Sequence, residues 1–317
     1  MRILVVGAGA VGGYFGGRLS QAGRDVTFLV RPRRAEELAA KGLEILSPHG
    51  DVTVRPKALT SRQIQDPYDT ILLCVKGYAL PAALDDFAAA IGPSTMIVPA
   101  LNGMRHIDLL PARFGEAAVL GGVCLVATEL DSNGRIRQLA GFQKLVYGEL
   151  NGTITPRIQA LDAALSGAGF DAAISSNILS DMWRKWVQLS SLGAATCLLR
   201  GNVGEISSVP GGSDCSVHLL QECSAIAAAW GYPPSESFLQ QQAATLRDPS
   251  SQMTTSMYRD LVNGASVEVD TILGDLLERG RKHSVPAPLL QAAFVNLSIY
   301  QRSLARSSLQ SGAPARL

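Results

Sequence analysis

The sequence predicts an α/β protein, with a doubly wound parallel sheet in its N-terminal part and an all-helical domain in its C-terminal part. Three observations carry this. Short, continuously apolar runs alternate with helical text in the first part of the chain. A glycine-rich segment, Gly7-Ala8-Gly9-Ala10-Val11-Gly12, joins the first apolar run to the first helical stretch. β-rich runs then stop near residue 175, and only helical periodicity follows. A chain of 317 residues suits two domains at roughly 100–200 residues each, and the expected division is 1–175 and 176–317.

Taken in order, Arg2–Val6 reads as a strand, Val11–Ala22 as a helix and Asp25–Val30 as a second strand. Thr70–Val75 and Thr95–Val98 are further β-rich runs separated by alanine-rich helical text. Continuous apolar strands alternating with helices suit a parallel sheet covered on both faces, with right-handed crossovers. Ala117–Leu130 and Lys144–Glu149 read as strands, with a turn at Asp131–Gly134. Helices are expected over Met182–Leu199, Ser216–Trp230, Ser235–Leu246, Met257–Val262, Val267–Arg279 and Pro288–Leu304. Ser307–Leu317, rich in Ser, Ala, Gly and Pro, reads as a loosely held tail.

Composition narrows the function classes. Apolar residues make up 47% of the chain, enough for packed cores. Lys and Arg total 28 against 27 Asp and Glu, a net charge of +1, so no long-range field draws the chain to nucleic acid or an anionic membrane. No apolar stretch is long enough to span a bilayer, and Ile3–Val6 is too short for a signal-peptide core. The 5 cysteines form an odd set without CxxC spacing. They read as small buried hydrophobes in a reducing cytoplasm, with no disulfide framework and no zinc site.

Gly7-Ala8-Gly9-Ala10-Val11-Gly12 satisfies GxGxxG in the context that gives the pattern meaning, after a strand and opening a helix. Gly7 permits the tight turn, Gly9 lets backbone approach a pyrophosphate, and Gly12 lets helix and sheet pack closely. The helix N-terminus offers N–H groups and a positive dipole end to phosphate. An NAD enzyme would carry Asp or Glu at the end of the second strand, for the ribose 2′-hydroxyl. Here the strand ends in Arg31-Pro32-Arg33-Arg34. Guanidinium groups bind phosphate as a bidentate fork. NADPH is therefore the expected cofactor, with Arg31 on the 2′-phosphate and Arg33 or Arg34 assisting; the alternative is a solvated basic turn.

Lys76 follows Ile71–Val75, and Asn102-Gly103 follows Ile97–Leu101. Ligands of open parallel sheets bind outside the carboxyl ends of strands, so these polar endings are expected to face a cofactor crevice. With these residues in view, the chain resembles the ketopantoate reductase (2-dehydropantoate 2-reductase) family over nearly its whole length. The resemblance rests on the glycine turn, Val75-Lys76, Asn102-Gly103, Trp183-Arg184-Lys185, Ser256-Met257, Asp260 and Gly264–Glu268. It implies a Rossmann domain joined to a helical domain like that of 6-phosphogluconate dehydrogenase, and NADPH-dependent reduction of ketopantoate on the route to pantothenate.

The resemblance also implies roles. Lys185 matches the general acid that protonates the alkoxide oxygen as hydride arrives, a task an ammonium can perform because it attracts negative charge and carries a proton. Glu268 matches the carboxylate that orients substrate and lysine. Ser256 matches a residue on the substrate carboxylate, and Lys76 and Asn102 match positions lining the crevice near the nicotinamide ribose and substrate. Read without the family, Lys185 would be an ordinary surface lysine of a helix, and Glu268, in an apolar helix, a partner for a nearby cation. Ser256 would be a helix N-cap, and Asp260 either a carboxylate behind the site or a surface charge.

One departure stands out. Members of the family usually carry asparagines four and eight residues after the lysine, on its own helix face. Those positions are Leu189 and Gly193 here. Either Gln188, Ser190 or Ser191 substitutes from a slightly rotated helix, or the pocket suits a less polar 2-oxo acid lacking the hydroxyl. A protein that binds NADPH as a sensor, without turnover, is the reading from a different class, and a relative of 6-phosphogluconate or 3-hydroxyacid dehydrogenases is a third. No histidine pattern suggests the acid of a lactate-type enzyme, although His106 stands close to the crevice in sequence. Trp183 and Trp186 at helical spacing read as packing. No ligand cluster suggests a metal. The expected partners are a small 2-oxo acid and, since the helical half could pair with itself, a second copy of the chain.

Overall fold

The structure is a computed structural model that describes residues 1–311. Its elements follow in chain order. The first run is β1 (Arg2–Val6), α1 (Ala10–Gln21), β2 (Asp25–Leu29), α2 (Pro32–Lys41), β3 (Leu43–Leu46), β4 (Val52–Val54) and β5 (Lys57–Leu59). Next come β6 (Thr70–Leu73), α3 (Leu80–Asp86), β7 (Met96–Pro99), α4 (Arg105–Phe114), β8 (Leu120–Leu130), β9 (Ile136–Glu149), α5 (Pro156–Leu165) and β10 (Asp171–Ile174). The rest is helical: α6 (Ile178–Leu199), α7 (Val203–Ser207), α8 (Gly212–Ala229), α9 (Glu236–Leu246), α10 (Ser256–Val262), α11 (Asp275–Lys282) and α12 (Pro288–Ser311). The chain forms two compact units. One comprises Met1–Leu101 with His106–Met182, and the other Asn102–Arg105 with the chain from Trp183 onward.

In the first unit five parallel strands lie in the order β5-β2-β1-β6-β7. Order runs outward in both directions from β1, which makes the sheet doubly wound and places its switch point between β1 and β6. Alternate residues of β1 feed opposite faces. Ile3 and Val5 join the core that includes Tyr14, Phe15 and Leu19 of α1, while Leu4 and Val6 join the one that includes Leu80, Phe87 and Leu110. The expected strands and the α1 helix are all present here.

In a second sheet, β10-β9-β3-β4 with β8 on β9, the expected strands are β8 and the end of β9, whereas β3, β4 and β10 were not expected. These three strands are only three or four residues long, and the arginines of Arg31–Arg34 open the helix α2, which was not expected, instead of lying in a basic turn. The turn expected at Asp131–Gly134 is there, with the Asp131 carboxylate accepting from the N–H groups of Asn133 and Arg135, both at 2.9 Å. β9 starts at Ile136 and not at Lys144. Pairing jumps from Val126↔Gln143 to Thr128↔Gln138, so residues 139–142 bulge out of the ladder, and a bulge erases the alternating pattern that announces a strand.

In the second unit the expected helices form, with α7 added, α8 starting at Gly212 instead of Ser216, and three further changes. Val267–Arg279 is not one α-helix: the chain is irregular through Glu268, winds as a π-turn over Asp270–Gly274, and then enters α11. α6 begins earlier, at Ile178. α12 runs on to Ser311, so residues 307–311 are helix and not tail. The remainder of that expected tail, 312–317, lies outside the described residues. Trp183 and Trp186 are 2% and 1% exposed, their rings 5.0 Å apart, with Trp230 and Tyr232 stacked on Trp183. They pack, as expected. No helix among the described residues is long and apolar enough to cross a membrane.

Candidate functional site

The glycine turn follows β1 and touches the end of β6, at the switch point of the sheet. Gly7 has φ +97°, a conformation glycine adopts without strain. A Cβ on Gly12 would sit 2.0 Å from the Gly7 carbonyl oxygen and 2.7 Å from Cys74 Cβ, so only glycine lets α1 seat this closely. A Cβ on Gly9 would meet nothing within 4 Å, and no side chain caps the N-terminus of α1. The open face at Gly9 and the uncapped N–H groups fit a dinucleotide pyrophosphate. Cys74, wedged beneath the turn, is a neutral thiol whose pKa burial pushes up.

Beyond β2, the three arginines separate. Arg34 donates to the Gly134 carbonyl at 3.2 Å and pairs with Glu37 at 3.1 Å. Arg33 lies 3.6 Å from the same carboxylate, with 91% of its side chain exposed. Arg31, which precedes Pro32 at the start of α2, is exposed and makes no ion pair among the described residues. Lys76 is half-buried just after β6, and its neighbour Val75 lies against the Gly7 turn, 3.4 Å from where a Gly7 Cβ would sit. Lys76 and the glycine turn therefore share one end of the sheet.

In the second unit Asn102 reaches Glu268, Nδ2 to Oε2 at 3.5 Å. Gly103 makes this approach possible. It has φ +78°, and a Cβ there would fall 2.3 Å from the Thr271 carbonyl oxygen. Glu268 is 5% exposed and precedes the helical turn instead of lying in an apolar helix, which corrects the sequence expectation. The physical reason is the π-turn, where the Glu268 carbonyl accepts from the Ile272 N–H at 3.0 Å and from Thr271 Oγ1 at 3.3 Å. Such turns are rare and often found at functional sites. The Ile272 carbonyl in turn accepts from Trp186 Nε1 at 2.9 Å and Ser190 Oγ at 3.3 Å, both on α6. Two side chains one turn apart thus fasten α6 to the segment that carries Glu268. Lys185, half-buried, is the residue before Trp186.

Leu189 and Gly193 share the helix face of Lys185. A Cβ on Gly193 would come 2.8 Å from Met257 Cε and 3.7 Å from Thr255 Oγ1. The face therefore continues onto the start of α10, where Met257 occupies the space a longer side chain would need. Ser256 is the first residue of that helix, not its cap. Thr255 caps it, accepting from the Tyr258 N–H at 3.2 Å, and the Ser256 hydroxyl, half-buried, has no intramolecular hydrogen bond among the described residues. Ser190 and Ser191 are not stand-ins for the family's asparagines. Both are buried, and their hydroxyls donate to backbone carbonyls, Ser190 to Ile272 and Ser191 to Val187 at 2.8 Å. Of the three substitutes considered, this leaves Gln188.

Asp260 is half-buried on α10, one turn after Ser256. The Tyr300 hydroxyl is pushed up first by burial and then by the Asp260 charge, against the influence of Arg200 beyond the end of α6. His106 is 1% exposed in α4 of the other unit. The residues that the sequence left unnoticed are Thr255, Thr271 and Ile272, while Met257 entered only as part of the Ser256-Met257 motif, with no role assigned. Only the glycine of Asn102-Gly103 carried a signal for any of them.

The family model for ketopantoate reductase PanE/ApbA matches residues 3–152, and that for its C-terminal region matches residues 177–301. The Bacillus subtilis (strain 168) protein named uncharacterized oxidoreductase YkpB is 36% identical over 95% of this chain and 99% of its own length. The crystal structure of 2-dehydropantoate 2-reductase from Methylococcus capsulatus is 29% identical, has a TM-score of 0.82, and matches over 96% of this chain and 97% of that one. The ternary structure of D-mandelate dehydrogenase with NADH and anilino(oxo)acetate shares the fold, with a TM-score of 0.87 at 22% identity over 96% of this chain and 99% of that one. With both family models matched in sequence order, the chain is an oxidoreductase of the ketopantoate reductase family.

Proposed function

We propose that the chain reduces a 2-oxo acid to the 2-hydroxy acid with NADPH, and that 2-dehydropantoate, giving pantoate for pantothenate biosynthesis, is its substrate. The observation that carries this reading is the fastening of α6 to the Glu268 segment through Ile272, with Asn102 on the Glu268 carboxylate. The part over 1–175 is the NADP-binding domain of this reading, and 176–317 the substrate domain. The backbone of Gly7, Ala8, Gly9, Ala10, Val11 and Gly12 takes the pyrophosphate. Arg31 takes the 2′-phosphate, because Arg34 is engaged elsewhere. Lys76 and Asn102 line the ribose and substrate end.

When bound, the reduced nicotinamide supplies a hydride to the C2 carbonyl carbon. Lys185 gives its Nζ proton to the carbonyl oxygen as negative charge develops there, so the product leaves as the neutral alcohol. Glu268 holds the ammonium and the substrate in register, and the Ser256 hydroxyl donates to the substrate carboxylate. The same reading places the protein in the cytoplasm, which its 5 free cysteines fit, and makes it a homodimer.

A specific observation favours a second reading for the substrate. With Leu189 apolar and the Gly193 position filled by Met257, two hydrogen-bonding groups expected for the ketopantoate hydroxyl are missing, and an acid without that hydroxyl suits the pocket. The test is NADPH oxidation with ketopantoate beside analogues lacking its hydroxyl. Faster turnover of ketopantoate supports the first reading, and faster turnover of the analogues supports the second. NADPH binding without turnover of any 2-oxo acid overturns both and leaves a sensor.

A further inference from the structure

Glu268 ends a stretch of chain with no regular structure of its own. α10 stops at Val262, Gly264 turns the chain away with φ +66°, and residues 265–268 belong to neither helix nor strand. An unbroken helix would satisfy its own N–H and carbonyl groups. Here side chains from two other helices are committed to that task. On the N-terminal side the holders are consecutive residues of α12. Gln301 Oε1 accepts from the Val267 N–H at 3.0 Å, and the Tyr300 hydroxyl donates to the Ala265 carbonyl at 2.9 Å. Val267 is buried, so its N–H needs that acceptor. On the C-terminal side Trp186 Nε1 and Ser190 Oγ of α6 hold the Ile272 carbonyl. Glu268 is thus suspended between two anchors.

We infer that Gln301 and Trp186 are positioning residues, which act through the backbone at Val267 and Ile272 to place the Glu268 carboxylate. The inference rests on the proposed role of Glu268 in reducing a 2-oxo acid, and adds what keeps that carboxylate in place. The two anchors fix different things. Trp186 follows Lys185 directly, so the α6 anchor ties the turn of helix carrying the proposed acid to the segment carrying the carboxylate. Gln301 fixes the peptide just before Glu268, and a rotation of that peptide moves the carboxylate. The tolerance is small. Asn102 Nδ2 and Glu268 Oε2 already stand 3.5 Å apart, at the limit of a hydrogen bond, so a slight outward shift breaks the contact. Misplacement of reacting groups by about 1 Å can cost 10²-fold in rate.

The experiment is a double-variant cycle of Gln301→Met, which keeps the side-chain length and removes the acceptor, with Glu268→Ala. Steady-state kinetics with NADPH and the 2-oxo acid that wild type turns over are measured for the four proteins, with circular dichroism to confirm folding. Gln301→Met is expected to raise the KM for the 2-oxo acid about three- to tenfold, the loss of one hydrogen bond, with a smaller change in kcat. In the Glu268→Ala background the same substitution is expected to add less than about twofold, because the group it places is already gone. Gln301→Glu keeps an acceptor oxygen and is expected to recover most of the loss. A folded Gln301→Met with wild-type kinetics, or an equal loss in both backgrounds, would overturn the inference while leaving the role of Glu268 in place. A wild-type KM and kcat in Glu268→Ala, or no turnover of any 2-oxo acid by wild type, would overturn that role and the inference with it. Should Gln301→Met fail to fold, Trp186→Phe, which removes the N–H and keeps an aromatic ring, takes its place in the cycle with the same expected outcomes.

Discussion

Asn102 Nδ2 lies 3.5 Å from Glu268 Oε2, a contact between residues 166 positions apart. At this separation the hydrogen bond is long, so either group can turn to a substrate at little cost. Both belong to the proposed site, and their roles are coupled by the contact. Asn102→Ala and Glu268→Gln are each expected to raise the KM for the 2-oxo acid about tenfold, the effect of losing roughly one hydrogen bond. Because the two groups touch, the double variant should lose less than the sum. Steady-state kinetics of the four proteins measure this, and strict additivity would show that the contact has no role in binding substrate.

Lys185→Ala is expected to lower kcat by about 10²–10⁴, the usual range for a general acid, while NADPH binding measured by fluorescence stays within twofold. Trp186 and Ser190, not Lys185, secure α6 to Ile272, so the helix should stay in place when the lysine is cut back. Near-normal turnover would remove Lys185 from the chemistry.

Arg31→Ala is expected to weaken NADPH binding about 10–100-fold with little effect on NADH, since a charge-assisted hydrogen bond contributes about 1.5–3 kcal/mol. Arg34→Ala serves as the contrast. Its guanidinium is committed to Gly134 and Glu37, so its loss should change the preference between cofactors far less. Titration calorimetry with both cofactors tests the pair, and equal losses for NADH and NADPH would show that Arg31 does not read the 2′-phosphate.

Leu189→Asn is expected to raise the ratio of kcat/KM for ketopantoate to that for analogues without the hydroxyl by about tenfold, by restoring one polar contact. Gly193→Asn should instead destabilise the fold by about 1–3 kcal/mol, the cost of overpacking, because its Cβ alone would stand 2.8 Å from Met257 Cε. Adding Met257→Ala to Gly193→Asn should recover part of that loss. Thermal denaturation reads the second effect, and an unchanged midpoint in Gly193→Asn would refute it.

The buried Glu149 carboxylate accepts from Arg157 Nε at 2.7 Å and from Thr155 Oγ1 at 2.6 Å, and the Arg157 guanidinium holds its pKa below the ordinary carboxylate value. A lowered carboxylate pKa contributes stability that is complete above the unfolded value, about 4.3, and is lost as pH falls through the folded one. Glu149→Gln is therefore expected to cost about 1.5–3 kcal/mol near neutrality, with the gap from wild type narrowing below about pH 4. Denaturant unfolding at pH 7 and pH 3.5 checks the sign; a gap that widens in acid would contradict it.

The glycine turn proposed to take the cofactor was readable from residues alone because its demands are local. Gly7 needs a positive φ, Gly12 the absence of a Cβ, and an arginine instead of a carboxylate after β2 needs no knowledge of the fold to be noticed. The helical end was not readable in this way. Glu268 leaves the expected helix because of a π-turn whose freed carbonyl, at Ile272, is taken up by Trp186 and Ser190 from a helix some eighty residues earlier. The cap of α10 belongs to Thr255 and not to Ser256, a choice between two adjacent hydroxyls that backbone geometry makes. The space beside Gly193 belongs to Met257. Each of these outcomes depends on which distant groups satisfy a carbonyl, an amide or a void, and such pairings arise only once the chain has packed. Local stereochemistry announced the glycine turn proposed to hold a dinucleotide, whereas long-range packing set the surroundings of the lysine proposed to act on the substrate.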